Sequence, residues 1–185
     1  MGLDMMLYRA PRHEDATAMD IARIDGYKWH LEEGYVKNIN EYCEKYNCTT
    51  PSKEILDFYM NYGGDLLDEV GYWRKANAIH AYFVDATQGG IDECQYSEVT
   101  PEVLEELLTT CQYVLRNCKP NKNGEAITNE HIAQEHLPTQ SGFFFGSTSY
   151  DQWYLDDLTN TVNIIQRVLW ETNFEKEMII YHASW

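Results

Sequence analysis

Trp73, Arg74, Asn77 and His80 stand within eight consecutive residues of the segment GYWRKANAIH, close enough to act on one ligand. Periodicity predicts a continuous helix over residues 66–86. It would place Tyr72, Ala76, Ile79 and Phe83 on a core-facing stripe, with Trp73, Asn77 and His80 on the stripe beside it. An indole there could stack on a planar ring, while the amide and the imidazole bond its edge. Arg74, with Lys75 next to it, adds a fork for phosphate or carboxylate. The same stripe also suits a core, with Trp73 buried and Asn77 and His80 bonded to neighbouring loops.

A second group lies in LPTQSGFFFGSTSYDQWYLDD. Gln140, Ser141, Ser147 and Thr148, with Thr139 and Ser149, flank a Phe triplet that predicts a buried strand over residues 142–146. Ser149 and Gln152 have the spacing of a capping box. The helix behind them would present free amides and partial positive charge to an anion. Tyr150, Trp153 and Tyr154 on its first turn would form an aromatic wall. If the two groups meet, Trp73, Arg74, Asn77 and His80 make one side of a ligand pocket, and Gln140, Ser141, Ser147 and Thr148 make the other.

Other chemistries fail on spacing. In HIAQEH, His131 and His136 are five residues apart, which on a helix turns the imidazoles about 140° from each other, so one helix cannot aim both at a zinc ion. GFFFGSTS lacks the Gly-Lys-Ser/Thr ending of a phosphate loop and the three-glycine dinucleotide pattern. No GxSxG elbow nominates a nucleophile. Neither a metal nor a cofactor is expected, and catalysis would fall to His80 as general base, oriented by Asp4 or Asp151.

The elements that must position these residues follow from pattern. Leu3, Met5 and Leu7 alternate over residues 2–8, which predicts a half-buried strand. Residues 11–34 show no clear period and are read as irregular. Helices are predicted over 35–46, after Thr50-Pro51, after Thr100-Pro101 and over 128–136. A further helix carries Leu155, Leu158, Val162, Ile165 and Leu169 inward. Short strands are expected at 94–99 and 178–181. The result is an α+β fold, a single domain over residues 1–185, with several helices packed on a small, mainly antiparallel sheet that includes the first and last strands.

Composition narrows the function classes. Thirty acidic residues against fourteen basic ones give a net charge of -16, a field that repels nucleic acid and anionic lipid. Direct nucleic-acid binding is therefore not expected. The apolar runs fall far short of the roughly 20 residues a membrane span needs, and the opening MGLDMMLYRAPRHED does not read as a signal peptide. Five cysteines without a CxxC pair suit reduced thiols in a cytoplasm. Cys111 and Cys118 fall among leucines as small core hydrophobes.

MGLDM, GYWRKANAIH and LPTQSGFFFGSTSYDQWYLDDL, about a fifth of the chain spread over its length, resemble a family of small uncharacterised phage and bacterial proteins. That resemblance carries no activity or residue role to transfer. It implies a setting, that of a phage-type accessory protein inside an infected bacterial cell. In that setting the residues point to non-catalytic binding of a small polar ligand, of nucleotide or nucleotide-derived kind, as a counter-defence sequestration. The alternatives are an acidic protein that inhibits a host protein, as a nucleic-acid mimic would, and a small hydrolase or transferase using His80.

Overall fold

Leu3, Met5 and Leu7 are buried while Asp4, Met6 and Tyr8 are half-buried, so the first strand carries the predicted alternation. The computed structural model describes residues 2–185. Its strands β1 (Asp4–Pro11), β2 (Asp68–Arg74), β3 (Ser97–Val99) and β4 (Glu177–Ser184) form one antiparallel sheet in the order β2-β1-β4-β3. The N- and C-terminal strands pair directly, as expected, with Leu7 opposite Tyr181.

Among the described residues seven helices cover both faces: α1 (Ala18–Glu32), α2 (Ile39–Tyr46), α3 (Lys53–Met60), α4 (Asn77–Gln88), α5 (Pro101–Asn117), α6 (Glu130–His136) and α7 (Gln152–Glu171). Successive β4 side chains point to opposite faces. Ile179 and Tyr181 join Ile79 and Phe83 of α4, Leu107 of α5 and Leu158 of α7 in the main core. Met178 and Ile180 join Ile21 and Ile24 of α1 and Tyr59 of α3 in a second core. A smaller cluster of Tyr27, Tyr42 and Cys43 holds α2 onto α1.

Three sequence expectations are corrected. Residues 18–32 are helical, opened by a capping box in which Thr17 and Asp20 satisfy each other's backbone amides. The inward face is Ala18, Ile21, Ile24 and Tyr27, a sparse stripe that the polar residues between them conceal. The long helix predicted over 66–86 is a strand, a turn and a helix. Only Gly71 and Trp73 of β2 are buried, and with no side chain Gly71 hides the alternation. Tyr72, expected in the core, faces outward and donates to Asp4. The Phe triplet forms a turn in which Phe143 is exposed and Phe145 buried. Its carbonyls are taken by Leu3 N–H and by the Asn77 amide instead of a neighbouring strand.

Boundaries also move with the caps. Asn38 caps α2, and Ser52 caps α3 two residues beyond the predicted Thr50. Asp151 in place of Ser149 caps α7, accepting from Tyr154 N–H at 3.1 Å, while Gln152 donates to Asp156. Thr100 and Pro101 do open α5.

Candidate functional site: a polar cavity at the β2–α4 turn

The turn between β2 and α4 places Lys75 in the left-handed region, with φ 62°. This conformation costs a non-glycine residue energy and tends to survive where function needs it. Gly146, with φ 88°, packs against it: a Cβ there would come within 3.1 Å of Lys75 Cβ. The loop carrying Gly146 is fastened by Asn77, whose amide nitrogen donates to the carbonyls of Phe145 (3.1 Å) and Ser147 (2.8 Å). Its Oδ1 accepts from Gln140 N–H at 3.0 Å. One buried side chain thus ties the start of α4 to both ends of a loop about seventy residues downstream.

Between these segments opens a cavity of about 270 Å³. The turn contributes Arg74 and Lys75; the loop contributes Thr139, Gly146, Ser147 and Ser149; α7 contributes Asp151, Trp153, Tyr154 and Asp157. Ala78 and Ile79 line it from α4, whose N-cap Ala76 supplies no side-chain bond. Asn77 and His80 N–H find carbonyls at Lys75 and Ala76, so the amides of Ala78 and Ile79 are the ones without an acceptor among the described residues. Such an end favours negative charge. Arg74 is partly engaged by Asp4, at 3.4 Å, yet its side chain is more than half exposed. Trp153 stands 78 % exposed, an indole face open to solvent beside the cavity.

Of the eight residues singled out from sequence, Arg74, Asn77 and Ser147 line this cavity together. Gln140, Ser141 and Thr148 lie exposed in the same loop, outside the lining. Trp73 is buried in the core and donates to Thr161 Oγ1 at 2.9 Å. His80 is fully buried: Nδ1 meets Tyr181 Oη at 2.7 Å and Nε2 meets Asp92 Oδ2 at 2.9 Å. Burial pushes its pKa down, and Asp92 offsets part of that shift. A neutral imidazole fits both contacts, accepting from the tyrosine and donating to the carboxylate. The partner is Asp92, where sequence reasoning had nominated Asp4 or Asp151.

Asp157 is the cavity residue that sequence reasoning missed. Its carboxylate has no hydrogen bond or ion pair among the described residues. Burial, then Asp156 and Asp151, push its pKa up to about 6. The signal was available: Asp157 follows buried Tyr154 by three residues and precedes buried Thr161 by four, so a half-buried carboxylate borders the inward face of α7.

All five cysteines are free, and burial raises Cys111 to about 12 and raises Cys48, Cys94 and Cys118. Among the described residues no group of three His, Cys, Asp or Glu side chains converges as a metal site, and no helix is long and apolar enough to cross a membrane. Fold and site together describe an α+β domain with a mixed-charge polar cavity. No protein-family model, curated protein or solved structure matches the chain.

Proposed function

We propose that this chain is a non-catalytic binding protein for a small anionic polar ligand, of nucleotide or nucleotide-derived kind. In this reading it is a phage-type accessory protein that sequesters the ligand in the cytoplasm of an infected bacterial cell. One observation carries the proposal: residues 74–79 and 139–158, distant in sequence, line one cavity containing two cations and an uncapped helix end. The cavity lining balances two cations, Arg74 and Lys75, against two carboxylates, Asp151 and Asp157, so it is less acidic than the chain as a whole, and acids farther away are screened beyond about 8–10 Å. Binding without turnover is supported by His80, whose two nitrogens are both bonded inside the core.

A second reading is an acidic surface that engages a basic host protein. It is favoured by the exposed rings of Trp29, Tyr35 and Tyr46 gathered around His30 and by the net charge. Native mass spectrometry of the protein purified from infected cells separates the two. The proposal expects a retained small molecule that Arg74→Ala abolishes or weakens. A retained protein partner, with no small molecule, would favour the second reading.

A further inference from the structure

Asp157 sets a condition on what the cavity can hold. It is half-buried and lines the cavity with a carboxylate that makes no hydrogen bond or ion pair among the described residues, so its acceptor positions are open to a ligand that brings hydrogen-bond donors. Arg74 is shared with Asp4, and Thr161 Oγ1 bonds the Asp157 backbone carbonyl rather than its carboxylate. Asp157 lines the same cavity as Arg74 and Lys75, so a ligand that satisfies all three carries an anion and, apart from it, N–H donors.

We propose that the cavity selects guanine nucleotides, with Asp157 accepting from the base and Arg74 and Lys75 holding the phosphate. This inference rests on the nucleotide reading above and sharpens it. Among the common bases, guanine alone presents a ring N–H and an adjacent exocyclic amine side by side, a pair of donors that matches the two oxygens of one carboxylate. Adenine offers a donor next to an acceptor, and the acceptor would face the negative oxygen. The exposed indole of Trp153, on the turn of α7 that precedes Asp157, supplies a face on which a purine can stack. A cavity of about 270 Å³ suits a mononucleotide with part of it left in solvent.

The test is calorimetric titration of the full chain with GMP, IMP and AMP at one salt concentration, repeated on Asp157→Asn. IMP keeps the ring N–H and lacks the amine. The expected order is GMP, then IMP, then AMP, with GMP at least about tenfold tighter than AMP, the size of a hydrogen bond to a charged acceptor. Asp157→Asn is expected to abolish the preference while melting no lower than the parent, since the carboxylate it replaces makes no hydrogen bond or ion pair among the described residues. Equal binding of GMP and AMP by the parent would overturn the guanine assignment and leave the anion cavity standing, as would a preference that survives in a folded Asp157→Asn. If that variant does not fold, the order of the three nucleotides on the parent decides. Failure of all three to bind would overturn the nucleotide reading itself.

Discussion

A buried imidazole bonded on both sides behaves differently from one poised to take a proton. Burial lowers the pKa of His80, so its contribution to stability is present above the unfolded value of about 6.5 and is lost as the pH falls through the folded value. His182 is lowered too and acts in the same sense. Asp157, raised to about 6, acts in the opposite sense, because the fold favours its protonated form. Comparing His80→Gln with the parent isolates the histidine. Urea unfolding is expected to show the parent losing more stability than the variant between neutral pH and pH about 5, with the variant less stable by about 1–3 kcal/mol at neutral pH. Identical pH slopes would refute this account of His80. At this scale the sequence showed which residues sit near one another, but not which are spent on the fold. Asn77 and His80 carry polar groups that suit a ligand equally well, and only the positions of Phe145, Ser147, Tyr181 and Asp92 reveal that those groups are already occupied.

Elements with regular apolar spacing were legible, and those whose inward positions are small or polar were not. The stripe through Leu155, Leu158 and Ile165 is buried as read, although Val162 and Leu169 are only half-buried. Strand β2 was concealed because Gly71 occupies an inward position where alternation calls for a large side chain. The reason for glycine there is the approach of α7: a Cβ at Gly71 would lie 2.7 Å from Ile164 Cγ2. Gly71→Ala is therefore expected to destabilise by about 1–3 kcal/mol through overpacking. Leu107→Ala and Leu158→Ala, each at a fully buried position, are expected to cost about 2–5 kcal/mol through the opposite defect, a cavity. Denaturant melts read all three. A neutral Gly71→Ala would mean that β2 and α7 are less tightly apposed than described, and parent-like leucine variants would place those helix faces wrongly.

For the whole molecule, charge and topology pull in different directions. A net charge of -16 points toward a basic partner, yet pairing the terminal strands and splitting residues 68–88 into β2 and α4 brings Arg74 and Lys75 beside the loop 139–149 and the start of α7. Pattern alone paired the terminal strands and grouped the two polar segments. It could not supply the turn at Lys75 that turns them toward one cavity, because a left-handed lysine leaves no mark in hydrophobic periodicity. The central claim is that these two segments form a single anion-binding site. Two-dimensional amide NMR of the isotope-labelled protein during titration with GMP tests it most directly. The account predicts that the amides of Lys75, Ala78 and Ile79 and those of Gly146, Ser147 and Ser149 shift together along one binding curve, and that Arg74→Ala weakens that curve by about 1.5–3 kcal/mol. Shifts confined to one segment, or gathered instead around Trp29, Tyr35 and Tyr46, would contradict it.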